Sequence, residues 1–501
     1  MEETRNARRS IWWASADMPT YEPLREVAEA DVCVIGGGIT GLTAALLLAR
    51  EGKNVVLLER HRLGRGVSGS TTAHLTALAD ADYSVLYKKM GLDAVRGVWT
   101  SMMAAIDRID ALVRELNIAC DFERVNAYYY AEPGGDTKVL RKSHDALHAA
   151  QAEVRLERSN ALPFPTADTL VAPRQARFHP LPYLAALARA ATDAGVRIHE
   201  HTAAVAVQDG EPCEVSTRVG KTVRARHLVL ATHTPPGVQL VQTEMVIYRS
   251  YVIAARVRET VPEGLYFDTV EPYRYIRRHP IDGRELVLIG GADHRVGKGD
   301  PVAAERSLEQ YARDRFDVEE IVARWSAQVY EPADGLPYIG WSPLAPHSYL
   351  CTGYAGDGMT FGTLAAMMAT ESIAGRDGRW SALYRPSRFR ATTVPTVVQM
   401  GLETAKGVVA DRLKREAKEL AEVPAGEGRL MRIGGQQLAV YRDAEGDVHA
   451  CSAICPHLKC VVHWNAFEES WDCPCHGSRF DAKGEAVEGP SMHDLTPVEL
   501  E

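Results

Sequence analysis

The sequence predicts a chain in three parts. They are an α/β nucleotide-binding domain assembled from separated segments, an antiparallel-sheet domain threaded between those segments, and a small all-β module at the C-terminus. Three observations carry this reading. Residues 31–36, "DVCVIG", form an apolar, β-branched run of the kind buried in parallel sheets; "ITGLTAALLLAREG" follows as a helix closed by Gly52, and "NVVLLE" as a second strand. That is a βαβ unit, which implies a doubly wound sheet. Between residues 236 and 330, "MVIYRSYVIAARVR", "EPYRYIRRHP" and "ELVLIGGADHR" read as strands of a separate, more antiparallel sheet. The last ~75 residues hold short strands broken by turn signals, and five of the nine cysteines lie between Cys451 and Cys475.

The remaining elements follow in order. "ARHLVLATHTPP" (residues 225–236) gives another buried strand, ended by Pro-Pro; "SYLCTGYAGDGMTFGTLAAMMATESIAG" gives a strand, a Gly-rich turn and a helix. We therefore assign residues 27–80, 140–235 and 325–385 to the nucleotide domain, and 81–139 with 236–324 to the substrate domain. Residues 386–424 are assigned to a linker, amphipathic and helical over 394–422, and 425–501 to the C-terminal module. The 501 residues are 46% hydrophobic and 25% charged, enough for two to four domains. A formal net charge of -9 argues against nucleic acid as a partner. No apolar run reaches the ~18–20 residues that span a bilayer. Arg8-Arg9 is not followed by an apolar stretch of the kind an export signal needs, so the expected location is cytoplasmic.

The first motif is Gly36-Gly37-Gly38-Ile39-Thr40-Gly41, a G-x-G-x-x-G between strand and helix. Gly36 allows the tight turn, Gly38 lets the backbone approach a pyrophosphate, and Gly41 permits close helix–strand packing. The helix start supplies N–H groups and a favourable dipole. Glu59, with Arg60 beside it, ends the second strand where a carboxylate can hold ribose hydroxyls. A second glycine turn (Gly353, Gly356, Gly358) opens a helix and can aim N–H groups at the pyrimidine end of an isoalloxazine.

This combination resembles the D-amino-acid oxidase/glycine oxidase superfamily of FAD enzymes over residues 27–385. The matching pieces are the βαβ unit, "GSTTAHLTA", "LVLATHTPP", "DGLPYIG" and the second glycine turn. The resemblance implies FAD as cofactor. It places Ser70, Thr71 and Thr72 near the pyrophosphate or flavin, Val205 near the adenine, and Ala231 and Thr232 along the nucleotide. Gly356, Asp357, Gly358, Met359 and Thr360 fall at the flavin end. His74 and Cys351, each near positions where some members attach FAD covalently, are read as structural.

The second motif is Cys455-Pro456-His457, fifteen residues, then Cys473-Pro474-Cys475-His476. Each half offers one thiolate and one imidazole. Two thiolates can hold one iron and two imidazoles the other, as in a Rieske [2Fe–2S] centre; a tetrahedral zinc site is the alternative. Residues 428–501 resemble the Rieske proteins of respiratory and photosynthetic cytochrome complexes, which favours the cluster. The resemblance implies that Cys460 and Cys475 pair as a disulfide pinning the two ligand loops, and that Gly489-Pro490 belongs to a loop covering the cluster. Ser478 matches a serine that hydrogen-bonds a bridging sulfide, whereas Phe480 stands where a tyrosine bonds a ligand cysteine. Fewer hydrogen bonds to sulfur imply a lowered potential.

A flavin converts two-electron to one-electron traffic, and a Rieske cluster carries single electrons. No second G-x-G-x-x-G stands between a strand and a helix, where a nicotinamide nucleotide would need it, so electrons are expected to enter from an organic substrate. The flavoenzyme resemblance makes that substrate an amine or amino acid, losing hydride from the carbon next to nitrogen. Electrons would then pass through the cluster to an external one-electron acceptor. Two alternatives stand beside this: an oxidase using dioxygen with a structural cluster, and an electron-transfer or redox-sensing protein with no organic substrate. Tyr248, Tyr251, Tyr273 and Tyr275 could enclose an ammonium, and Arg274 or Arg277 could pair with a carboxylate. Tyr251, Tyr275 and the acid/base candidate His294 are the expected catalytic residues.

Overall fold

The computed structural model describes residues 9–80, 82–281, 283–376, 378–388, 416–417 and 419–500. Two large sheets share the N-terminal four-fifths of these residues. The first has eight strands, ordered Tyr338–Trp341, Ser348–Thr352, Thr222–Leu230, Ala28–Ile35, Val55–Leu58, Arg197–His199, with the hairpin Ala204–Gln208/Cys213–Thr217 beside Thr222–Leu230. Its centre is parallel: Val34 lies opposite Leu57 on one side and Val229 on the other. Val32, Val34, Val56 and Leu57 are all buried, as expected of strands covered on both faces.

The helix Ile39–Arg50 is buried from Ile39 to Leu48, so it is apolar all round rather than striped. It packs between the sheet and the helix Gly358–Ile373. The approach depends on Gly41, where a Cβ would lie 1.9 Å from the carbonyl oxygen of Gly36. Any side chain there would push the helix off the strand and uncover leucines worth about 1.5–3 kcal/mol each when buried.

The second sheet has nine strands, ordered Val318–Pro332, Met245–Val257, Arg284–Arg295, Arg274–Ile281, Leu265–Asp268, Glu123–Tyr130, Thr169–Arg177, His74–Leu75, with Arg155–Glu157 on Thr169–Arg177. It is antiparallel except where Leu265–Asp268 runs parallel to Glu123–Tyr130. This departs from the segment boundaries expected from sequence. Strands within 140–235 and 27–80 join the antiparallel sheet because pairing partners lie up to a hundred residues away, as when His74 meets Arg177.

The C-terminal module is all β. A three-stranded sheet (Glu427–Ile433, Gln436–Arg442, Val448–Ser452) faces a four-stranded one (His463–Asn465, Ser470–Asp472, Arg479–Asp481, Ala486–Glu488), every pairing antiparallel. The expected linker helix over 394–422 lies mostly outside the described residues; within them, Leu420–Glu422 form a 3-10 turn. Among the described residues no helix is long and apolar enough to cross a membrane.

Candidate functional site

The first glycine turn is shaped by what a side chain would strike. Gly36 has φ +112°, and a Cβ there would stand 2.4 Å from the Ala231 carbonyl oxygen, so glycine alone lets this turn close on Ala231 and Thr232. Gly38 caps the helix Ile39–Arg50 without a side-chain cap bond. The Ile39 N–H is met instead by the Ser68 hydroxyl at 3.1 Å, a residue the sequence reading did not single out. The Glu59 carboxylate accepts from the Gly37 N–H (2.7 Å) and the His61 N–H (2.8 Å), and burial raises its pKa. The Ala231 N–H bonds Ile35 (2.9 Å), and the Thr232 hydroxyl donates to the Thr234 carbonyl at 2.7 Å. Val205 is half-buried on the edge hairpin. Indole N–H groups grip the Ser/Thr segment: Trp325 donates to the Ser70 carbonyl (2.8 Å) and Trp12 to that of Thr71 (2.7 Å), while Thr72 meets His74 at 3.0 Å.

The second glycine turn leads from the strand Ser348–Thr352 into the helix Gly358–Ile373, with Asp357 at its cap. The Gly356 N–H donates to the Asp80 carboxylate at 2.6 Å, and the Asp80 N–H to that of Asp357 at 3.0 Å. Met359 is buried, and the Thr360 hydroxyl is buried with no hydrogen-bond partner. Thr40 reaches Tyr354 across 3.3 Å, tying the two glycine turns together. Above this turn stand Tyr273 and Tyr275, ring centroids 5.7 Å apart, with the Tyr275 hydroxyl 3.0 Å from that of Ser250.

In the C-terminal module two loops converge. The first connects Val448–Ser452 to His463–Asn465 and carries Cys455 and His457; the second connects Ser470–Asp472 to Arg479–Asp481 and carries Cys473 and His476. Each is a tight turn closed on its own cysteine, Lys459 N–H to Cys455 (3.1 Å) and Gly477 N–H to Cys473 (3.1 Å). Cys460 and Cys475 form a disulfide between them. The His457 and His476 rings stand 5.0 Å apart and nearly perpendicular, and the Nδ1 atom of each is buried without a partner. A hydrogen bond from Cys473, helped by the His457 N–H and the Ser478 hydroxyl, draws the Cys455 thiol below its usual range. Gly489 has φ +92°, and a Cβ there would lie 2.4 Å from the Gly477 carbonyl oxygen, so the covering loop lies directly on the second ligand turn. Phe480 is fully buried in the apolar cluster that also holds the four loop cysteines.

This loop pair is docked on the rest of the chain. His457 Nε2 meets the Gly237 carbonyl at 3.0 Å, and the Gly237 N–H donates to Pro490 at 3.2 Å. Tyr330 spans the two regions. Its main-chain carbonyl accepts from the Ala355 N–H of the glycine turn (3.1 Å), and its hydroxyl donates to the His476 carbonyl (3.3 Å). Gln328 donates to the Tyr330 hydroxyl (2.8 Å) and to the Gly477 carbonyl (2.9 Å). Around them runs a charged network: Arg249 pairs with Glu468 (3.0 Å), Arg479 with Glu468, Asp472 and Glu488, and His233 with Glu488 (3.1 Å). Arg479 is half-buried, and pairing with these carboxylates outweighs the cost of that burial.

Comparison with known proteins agrees with this geometry. The profile described as "FAD dependent oxidoreductase" matches residues 31–372. The chain belongs to the FAD-dependent oxidoreductase family. A second profile, "Rieske [2Fe-2S] domain", matches residues 415–499. YhfW of Bacillus subtilis (strain 168), named for a Rieske 2Fe-2S iron-sulfur centre, is 32% identical over 502 residues, covering 99% of both chains. Gamma-glutamylputrescine oxidoreductase of Escherichia coli (strain K12) is 27% identical over 389 residues, 74% of this chain and 90% of that one. The fold of glycine oxidase from Geobacillus kaustophilus superposes with a TM-score of 0.60 at 20% identity, covering 72% of this chain and all of the other.

FAD and a [2Fe–2S] cluster are thus the cofactors of this FAD-dependent oxidoreductase, and the residues present fit both. The cradle at Gly36 and Gly38 and the orphaned Thr360 hydroxyl suit a dinucleotide. Two thiols with two orphaned imidazole Nδ1 atoms suit the cluster. Three expectations change. Tyr251 and His294 bond each other at 3.0 Å on the far face of their sheet, where Tyr251 packs on Phe467 of the Rieske module. They cannot reach the glycine turn, because neighbours in a strand point to opposite faces; Tyr275, Ser250 and Asp293 take the near one. Arg277 is fully buried and spent on the carbonyls of Ala73 and Phe178, so it is closed to a substrate carboxylate. Arg60 turns away from the nucleotide loop and donates to the Ala486 (2.9 Å) and Ser491 (3.3 Å) carbonyls of the Rieske module. Cys351, read as structural, is buried, and burial pushes its thiol up to about 12.

Proposed function

We propose that the enzyme oxidises an amine or amino acid at the carbon next to nitrogen and exports the electrons singly through its own Rieske cluster. The observation that carries this is Tyr330, whose main chain holds the flavin-side glycine turn and whose hydroxyl holds the His476 carbonyl. FAD, when bound, takes a hydride and releases electrons one at a time, and a Rieske cluster moves one electron at once.

In this reading Gly36, Gly38, Ile39, Thr40 and Gly41 with Glu59 hold the nucleotide. Ser70 to Thr72, Val205, Ala231, Thr232 and residues 356–360 line it, while Cys455, His457, Cys473 and His476 hold the irons. The neutral amine gives up hydride and a proton to become an imine, which water hydrolyses. Two electrons then leave in two single steps to an external one-electron acceptor used twice. The similarity to an enzyme named for gamma-glutamylputrescine supports an amine at this site.

The test is anaerobic rapid mixing of the holoenzyme with a panel of amines and amino acids. Flavin bleaching followed by the reduced-Rieske EPR signal is expected. Bleaching with no cluster reduction, or no bleaching by any amine or amino acid, refutes the reading. In Tyr330→Phe, bleaching should keep its rate while cluster reduction slows several-fold.

A further inference from the structure

We propose that the chamber above the second glycine turn takes a diamine or polyamine. One nitrogen would be oxidised and a second, cationic group anchored by Asp293 and Glu331. This rests on the amine-oxidation reading above and names its substrate class.

Four carboxylates converge there from four separate elements. Asp80 follows the Ser/Thr segment, Asp293 lies on Arg284–Arg295, Glu331 on Val318–Pro332, and Asp357 caps the helix Gly358–Ile373. Asp80 is tied directly to the turn, and Asp293 and Glu331 lie close enough to feel its charge. The Asp80 carboxylate is bonded to the Gly356 N–H, and a Cβ on Gly356 would stand 3.1 Å from the Tyr273 hydroxyl. Burial, added to by the charge of Asp80 on each, raises Asp293 to about 7 and Glu331 to about 8. Asp80 keeps open surface beside the turn, yet burial raises its pKa as well.

A separate observation points to a ligand. The Ser250 hydroxyl bonds the Asp293 carboxylate, but Asp293 Oδ1 has no solvent-open surface and no hydrogen-bond partner, which leaves one desolvated acceptor oxygen. The walls suit a cation. Tyr273 and Tyr275 offer ring faces, and Tyr275 lies so close over its neighbouring strand that a Cβ at Gly290 would meet the ring at 1.9 Å. The arginines do not suit a carboxylate. Arg277 is consumed elsewhere, and Arg274 spends Nη1 on the carbonyls of Pro272 and Tyr273 while its guanidinium lies 5.6 Å over the Tyr311 ring. The positive charge that reaches the acids is that of Arg274 on Asp293 and Arg295 on Glu331, two guanidiniums against these four carboxylates and Glu271.

Three probes of equal chain length separate the possibilities: 1,4-diaminobutane, butylamine and 4-aminobutanoate. Each is titrated anaerobically into full-length holoprotein while the flavin spectrum is followed. The diamine should perturb or bleach the flavin at a concentration at least ~10-fold below butylamine, with 4-aminobutanoate weakest. In Asp293→Asn the diamine half-saturation should rise ~30-fold or more, the scale of breaking a buried charge pair, so its ratio to butylamine collapses towards one. Glu331→Gln serves as a second variant, read the same way, should Asp293→Asn not fold. The proposal is overturned if 4-aminobutanoate matches the diamine, if the diamine leaves the flavin spectrum unchanged, or if the variants shift all three probes equally. Perturbation by the diamine without bleaching keeps the cation site and overturns amine oxidation.

Discussion

Glu468 offers the sharpest test of how the Rieske module is held. Its carboxylate sits between Arg249 at 3.0 Å and Arg479 at 3.3 Å, with the Ser326 hydroxyl as a third partner. The Arg249 side chain is 2% exposed and that of Glu468 21%. Burial pushes the Glu468 pKa up, and the two guanidiniums more than reverse it. Glu468→Gln leaves both guanidiniums facing a neutral amide. Breaking a buried pair costs about 3–5 kcal/mol, and partial exposure of Glu468 argues for the lower end, about 3 kcal/mol. With a urea dependence of about 2 kcal/mol per M for a small module, its midpoint should fall by about 1.5 M. The assay is urea titration of the holoenzyme followed by the visible absorbance of the cluster. Replacing both partners, Arg249→Met with Glu468→Met, should recover more than half of the loss, because Arg479 keeps Asp472 and Glu488. A midpoint within 0.3 M of wild type for Glu468→Gln, a shift worth only about 0.6 kcal/mol, would refute the reasoning.

Other outcomes follow from the same structure. Phe480→Tyr adds a hydroxyl inside the apolar cluster of the ligand cysteines and should raise the midpoint potential; an equal or lower value in voltammetry contradicts this. Cys460→Ser opens the disulfide whose half-cystines are 15 residues apart, a restraint worth about 3 kcal/mol, and should shorten the life of the cluster on heating, measured by its absorbance. The folded chain holds protons on Asp293 and Glu331 that the unfolded chain releases near pH 4. That stability is fully present below pH 4 and is lost as pH rises towards 7–8. Thermal melts should therefore show a decline over this window, and Asp293→Asn should make it shallower, leaving the part due to Glu331.

Features that depend on neighbours in sequence were legible, and features that depend on distant partners were not. The glycine turn at Gly36–Gly41 and the ligand pairs Cys455/His457 and Cys473/His476 are local, so spacing alone brings them out. The face of the substrate strands was not readable. A register shift between Arg249 and Tyr251 decides which side chains meet the chamber, and Asp293 rather than His294 faces it. The strand Thr169–Arg177 reads equally well in either sheet until its partners are known. Ser68 carries no motif and is found only because its hydroxyl meets the Ile39 N–H. The docking bond of His457 to Gly237 joins residues 220 apart, beyond any local pattern.

Glu59 and Arg60 are adjacent yet face opposite ways, the carboxylate into the glycine turn and the guanidinium onto the backbone of Ala486 and Ser491. One dipeptide therefore joins the glycine turn to the Rieske module, and maturation of the two regions is expected to be linked. If flavin loading sets the loop that seats the iron–sulfur module, a chain starved of riboflavin should also carry less iron, measured as iron per chain.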